Sequence, residues 1–364
     1  MTINRPSHGE IIRIGAQSVA PGQSAVIELP IAQLYTRTAM NLPVHVVNGL
    51  HPGPRLFISA AIHGDELNGV EIIRRVLQQK ALRRLNGAVI AVPIVNIFGL
   101  IQHSRYLPDR RDLNRVFPGS QNGSLAAQLA YILLEDIVKK CTHGIDIHTG
   151  ALHRSNLPQI RANLDDAVTL ELAKAFGVPV LINSTVRDGS LREAAAENGV
   201  TMLLYEGGEA LRFDELCIRA GVRGVMQVMR KLGMLPQRRL KSRMQVEPFI
   251  ARSSSWVRAS LSGIFRSYKD LGDYVERGEI LGTVSDPSDM FIDQGYEIRA
   301  NDSGIIIGKT KLPLVSQGDA LYHIARFADG NEVAANLETF QQAFNGDNVS
   351  SGQINPEIDP EVPV

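Results

Sequence analysis

Apolar and polar positions change period along the chain, and each change marks an element. "RLFISA" (Arg55 to Ala60) is an almost unbroken apolar run and reads as a buried strand. The next stretch, "NGVEIIRRVLQQK", spaces its apolar residues as a helix does and predicts one over roughly 68–80. "GAVIAVPIV" (Gly87 to Val95) is β-branched and too short for most helices, so it reads as a second buried strand. A helix follows in "SLAAQLAYILLEDIVKK", with Ser124 as its N-cap. Beyond it come a strand at "GIDIH", a helix near 165–176, a strand at "PVLIN", a helix at 190–198, a strand at "TMLLYE" and a long helix near 210–232. Residues 10–50 read as short strands with turns at "APGQS" and "VNGLHPGP". Strands alternating with helices predict an α/β unit whose sheet is mainly parallel and flanked by helices. In such sheets chemistry collects at the carboxyl ends of the strands.

The pattern changes after about residue 240. Residues 253–327 carry short strands, many glycines and no strong helix. "VERGEIL" (Val275 to Leu281) and "VSQGDAL" (Val315 to Leu321) repeat V-x-x-G-[DE]-x-L, which predicts a pseudo-symmetric all-β domain. The expected organisation is a catalytic domain over 1–240 with N-terminal strands over 1–45, a linker over 241–252, the β domain over 253–327 and a tail over 328–364. The tail is polar, acidic and Pro-containing, and is expected to be disordered toward its end.

Composition narrows the function. The chain has 364 residues, 44% of them hydrophobic, enough for more than one core. A formal net charge of zero offers no field for nucleic acid or an anionic membrane. "RRLKSR" (Arg238 to Arg243) lacks interleaved aromatics and reads as solvated linker charge. Two cysteines, no apolar leader at the start and no run of membrane-spanning length together predict a cytoplasmic protein.

Candidate chemistry sits at three strand ends. His63 and Glu66 form H-x-x-E after the first strand; the bland alternative is a loop histidine beside an acid that favours a helix N-terminus. His148 ends "GIDIH", and Asp146, two residues earlier on the same strand face, is a candidate supporting carboxylate. Glu206 ends "TMLLYE" ahead of two glycines; its bland reading is a turn acid. Two histidines and a carboxylate with an open fourth position make a catalytic zinc site, and a further acid can serve as general base. A fourth stretch, "SRYLPDRRDLNRVFPG" (Ser104 to Gly119), is dense in arginine. It could be a solvated loop, but Asn114 and Arg115 lie between apolar residues, which favours a positioned pair.

"HGDE", "RYLPDRRDLNRVFPG", "DIHTG" and "YEGGE" together resemble the succinylglutamate desuccinylase/aspartoacylase family, within the zinc-carboxypeptidase-like fold. The motifs follow the family's order and span most of residues 40–240. The resemblance implies one Zn2+ per subunit on His63, Glu66 and His148, with Glu206 as general base and proton shuttle. It implies that Asn114 and Arg115 hold a substrate carboxylate and that Arg105 polarises the scissile carbonyl. Arg110 or Arg111 could take that last role, and Glu209 competes with Glu206. Arg161 in "PQIRAN" is a candidate second carboxylate binder, against a strand-edge charge. The implied activity is a zinc-dependent deacylase that cleaves the amide of a small N-acylated amino acid or amine. The competing activity is a zinc carboxypeptidase acting on a peptide or poly-amino-acid C-terminus, and a non-catalytic binding module is disfavoured because every expected ligand is present. The C-terminal domain resembles a biotinyl/lipoyl-type barrel-sandwich hybrid. No lysine occurs between Asp270 and Gly308, so a carrier role is rejected and a role in narrowing access to the site is expected. A homo-oligomer is compatible with the sequence.

Overall fold

The computed structural model describes residues 9–184, 187–237, 248–288, 295–327 and 340. A small antiparallel ribbon of β1 (Ile12–Ile14) and β2 (Gln17–Val19) precedes the long strands β3 (Ser24–Gln33), β4 (Ala39–Asn48) and β5 (His51–Ala60). Helix α1 (Asn68–Leu77) leads to β6 (Asn86–Val92), the short α2 (Ile97–Ile101) and α3 (Leu125–Asp136), with Ser124 capping α3 through the Ala127 amide. Next come β7 (His143–Gly150), β8 (Arg154–Ala162), α4 (Ala167–Phe176), β9 (Val180–Asn183), α5 (Leu191–Glu197), β10 (Thr201–Glu209) and α6 (Glu215–Lys231). The long helix starts later than its apolar spacing suggests, because the Asp214 side chain caps it by accepting from the Cys217 amide.

The sheet is mixed. Its central strands β10, β7, β5 and β6 lie side by side and parallel, β4 on one flank and β8 on the other run antiparallel to them, and the outer β3 pairs antiparallel with β4. Both faces of this centre are covered. Leu56, Ile58 and Ala60 of β5 pack with residues of α1, α4 and α6. Phe57 points the other way, into a core shared with α3 and α5. Burial on both faces is why these strands read as continuous apolar runs rather than as alternation.

The C-terminal strands are β11 (Phe249–Ala251), β12 (Ser253–Arg258), β13 (Gly263–Ser267), β14 (Tyr274–Val275), β15 (Ile280–Ser285), β16 (Tyr296–Arg299), β17 (Gly304–Thr310), β18 (Leu314–Val315) and β19 (Ala320–Arg326). They build a core of their own around Val257, Phe265, Leu281, Val284 and Leu321. They form sheets, not a closed barrel: β16, β15, β13 and β18 make one, and β17, β19 and β12 extend the main sheet beyond β8. Within the stretch expected as a linker, β11 pairs parallel with β9. The internal repeat has a structural counterpart. In both copies the acid accepts from the backbone amide three residues earlier, Glu279 from Glu276 and Asp319 from Ser316, each at 2.8 Å. "RRLKSR" and all of the tail except Phe340 lie outside the described residues.

Ile58 is fully buried near the carboxyl end of β5. Ile58→Ala is expected to lower the unfolding free energy by about 2–5 kcal/mol, to be read from the urea midpoint at unchanged m-value.

Candidate active site

Three adjacent parallel strands bring the motifs together. The chain leaves β5 through Ala61, which adopts a left-handed φ of 48°, and turns back on itself at His63 and Glu66. Gly64 is required in this turn by a close approach, since a Cβ there would lie 2.0 Å from the backbone carbon of Gly99. On β7 and β10, His148 and Glu206 are direct register partners. The ladder of β10 is then interrupted between Glu206 and Gly208, a bulge that breaks pairing at the pair of glycines.

His63, Glu66 and His148 are all buried, and each offers one ligand atom within 4.8 Å of the others. Both imidazoles point Nδ1 at the same carboxylate: His63 lies 2.7 Å from Glu66 Oε1 and His148 lies 2.8 Å from Glu66 Oε2. Both turn Nε2 toward a supporting acid. Asp146 lies 2.7 Å from His148 and itself accepts from the Ser59 hydroxyl at 2.6 Å. Asp112 lies 3.1 Å from His63. Carboxylates behind both rings fix their orientation and leave both Nδ1 atoms directed inward. Two imidazole nitrogens and a carboxylate oxygen, supported in this way, fit a divalent metal of the zinc class. Burial opposes charge on Glu66 and His148, yet mutual attraction outweighs it: the two imidazoles hold Glu66 well below the usual carboxylate range, and Asp146 and Glu66 raise His148.

Glu206 stands apart from this cluster. Its Oε2 accepts from Asn156 at 2.7 Å and from Gln159 at 3.4 Å, and its Oε1 lies 3.3 Å from Arg161 Nε in an ion pair. Arg161 is therefore a cleft residue facing an acid as well as a strand charge. Arg105 donates to Asp112 at 2.9 Å and approaches Glu66 at 3.3 Å. It lines the cleft along with Asn114 and Arg115, whereas Arg110 and Arg111 are exposed and do not. Asn114 is buried and anchored by accepting from the Leu191 amide at 2.9 Å. Glu209 is buried at the far side of the bulge and does not line the cleft.

The cleft has a volume of about 600 Å³, and its walls combine Arg105, Arg115, Arg154, Arg161, Arg187, Arg192 and Arg252 with the acids Glu66, Asp146 and Glu206. Arg252, Trp256 and His323 come from the C-terminal strands or their approach. The sequence reading missed Asp112, one of two acids in an arginine-rich loop. Its one signal was its place directly before Leu113-Asn114-Arg115, where its side chain caps the turn by accepting from the Asn114 amide at 2.9 Å. Among the described residues no helix is long and apolar enough to cross a membrane.

Asp112→Asn is expected to weaken divalent-metal affinity by about 10–100-fold, as measured by competition with a chromophoric chelator. Gly64→Ala is expected to strip metal and lower the melting temperature together, because backbone rather than a flexible side chain opposes the new methyl. Wild-type metal content in that variant would show that the turn does not hold the His63–Glu66 pair.

Comparison with known proteins agrees with this geometry. A family model of the succinylglutamate desuccinylase/aspartoacylase catalytic domain matches residues 52–232. The N-alpha-acetyl-L-2,4-diaminobutyric acid deacetylase of Halomonas elongata is 27% identical over 319 residues, covering 84% of this chain and 92% of that protein. A succinylglutamate desuccinylase/aspartoacylase from Rhodobacter sphaeroides superposes with a TM-score of 0.74 at 23% identity, covering 84% of this chain and 95% of that one. The product-bound ectoine utilization protein EutE (DoeB) of Ruegeria pomeroyi gives a TM-score of 0.74 at 22% identity, covering 83% and 94%. The family-model match encloses the His63, Glu66, His148 and Glu206 segments, and residues 52–232 are a catalytic domain of the succinylglutamate desuccinylase/aspartoacylase family.

Proposed function

We propose that this protein is a cytoplasmic, zinc-dependent deacylase that hydrolyses the amide bond of a small N-acylated amino acid carrying a carboxylate. The observation that carries the reading is the placement of a buried two-histidine, one-carboxylate cluster and a separate, hydrogen-bonded glutamate at the ends of adjacent strands, in one arginine-lined cleft. The deacetylase activity named for the Halomonas relative supports the reaction class. Two buried free thiols suit a reducing compartment. In this reading residues 1–240 form the catalytic domain and residues 253–327 a β domain that narrows the cleft with Trp256 and His323.

His63, Glu66 and His148 would hold the ion. Zn2+ bound there supplies Lewis acidity and lowers the pKa of water toward neutrality. Glu206 accepts a proton from the attacking water and delivers it to the leaving amine, so one carboxylate serves both halves of the reaction. Arg105, pinned by Asp112, faces the charge that develops on the carbonyl oxygen. Asn114 and Arg115 orient the substrate carboxylate, and Arg161 extends the cationic wall beside Glu206. Seven arginines against three acids favour an anionic substrate over a neutral amine.

Glu206→Gln is expected to reduce kcat by about 10²–10⁴-fold while stoichiometric metal is retained. A panel of N-acetyl and N-succinyl amino acids, assayed beside short peptides for released amine, tests the substrate class. Faster turnover of peptides than of every N-acyl amino acid would replace deacylase with carboxypeptidase.

A further inference from the structure

The main sheet places four residues in one cross-strand row. Asn156 on β8 is the register partner of Gly308 on β17, Gly308 is the partner of His323 on β19, and His323 is the partner of Trp256 on β12. The row begins at the side chain that donates the shortest hydrogen bond to Glu206, at 2.7 Å. It ends in the C-terminal strands, more than 150 residues along the chain from Asn156 at Gly308 and His323.

Gly308 is the tight point of the row. A Cβ there would lie 3.0 Å from Asn156 Oδ1 and 3.1 Å from His323 Cβ. The two neighbours are not equally free to move. His323 is buried, stacked on the Trp256 ring at 4.3 Å with an interplanar angle of 9°, and tied through Nε2 to the Ser254 hydroxyl at 2.9 Å. The Trp256 ring is covered in turn by the Arg154 guanidinium at 5.4 Å. The contact on His323 is also at Cβ, next to its backbone, whereas the contact on Asn156 is at the end of a rotatable side chain. A methyl at position 308 therefore pushes the Asn156 amide aside by a few tenths of an ångström, and with it the group that orients Glu206.

We infer that Asn156 is a positioning residue for the Glu206 carboxylate, and that Gly308, backed by the Trp256–His323 stack, fixes where the Asn156 amide sits. The C-terminal strands thus act on the chemical step as well as on access to the cleft. This rests on the reading of Glu206 as the base. Hydrogen bonding from Asn156 selects one carboxylate orientation, and misplacement by an ångström costs about 10²-fold in rate. Asn156 acts through Glu206, so its loss falls on kcat.

The test is a double-mutant cycle of Asn156→Ala and Gly308→Ala in the full-length, metal-loaded enzyme, with kcat and KM measured on the best N-acyl amino acid. Asn156→Ala is expected to lower kcat by about 10–100-fold with KM within about twofold and metal content unchanged. Gly308→Ala is expected to lower kcat in the same direction by a smaller factor, and the double variant to be no slower than Asn156→Ala alone, because contacting residues that act as one unit are not additive. If Gly308→Ala is insoluble, the double variant is expected to fold, since removing the amide clears the space. Multiplicative losses, a rise in KM at unchanged kcat, or a double variant as insoluble as Gly308→Ala would each overturn the coupling. Glu206→Gln is run in parallel. Unimpaired turnover there removes the base assignment itself, whereas an inactive Glu206→Gln beside an Asn156→Ala of wild-type kcat removes only the present inference.

Discussion

Parallelism of β5, β7 and β10 is the constraint on which this molecule's chemistry depends. Three strands running the same way, side by side, deliver their carboxyl ends to one edge of the sheet. His63 and Glu66 follow the first of these strands, His148 closes the second and Glu206 the third. An antiparallel neighbour in the middle would have sent one motif to the opposite edge. The helices that make parallel connection possible also bury both faces of the strands, so the site stands on a support that has no solvated side.

That support holds a concentration of charge that would be costly without its partners. Glu66 is fully surrounded, and it accepts from the Thr149 amide at 3.1 Å as well as facing both imidazoles. Each histidine has an acid on either side, Glu66 in front and Asp112 or Asp146 behind. The arrangement carries three carboxylates for two imidazoles, an excess of negative charge that Arg105 offsets from the rim through both Glu66 and Asp112. A dication at the inward-facing nitrogens would balance the same excess from within. Buried charges of this kind contribute little to folding compared with an apolar core. Their retention at the strand ends is a cost that binding chemistry explains and packing does not.

Much of this was legible in the residues. The central strands announce themselves as apolar runs because both of their faces are buried, and the helices between them carry signals of their own, an apolar period in α1 and the Ser124 cap at α3. His63, Glu66, His148 and Glu206 were found because each interrupts or ends such a run. Two features escaped for physical reasons. Strand β8 carries Arg154, Asn156, Pro158, Gln159 and Arg161 within nine residues, since one part of it faces the cleft rather than a core. Polarity that serves the site hides the strand from a pattern based on burial. Asp112 escaped because local composition cannot distinguish an acid solvated among arginines from one that reaches back 49 residues to a histidine.

The continuity of the sheet across β8 and β17 was also invisible, because a composition shift near residue 240 marks a change of architecture without saying how the parts join. The join has a consequence for how the cleft is shaped. A domain connected only by a linker could narrow an opening and do little more. The C-terminal strands are instead hydrogen-bonded in register to β8, the strand that carries Asn156, Gln159 and Arg161 beside Glu206. His323 illustrates the difference: burial, with Arg161 nearby, pushes its pKa down to about 3, so it stays uncharged as a wall of the cleft. A neutral imidazole stacked on an indole adds shape and stiffness there without adding to the positive charge of the arginines around it. The C-terminal strands thereby add a neutral, stacked wall to a cleft whose arginines come mostly from the strands and loops that precede them.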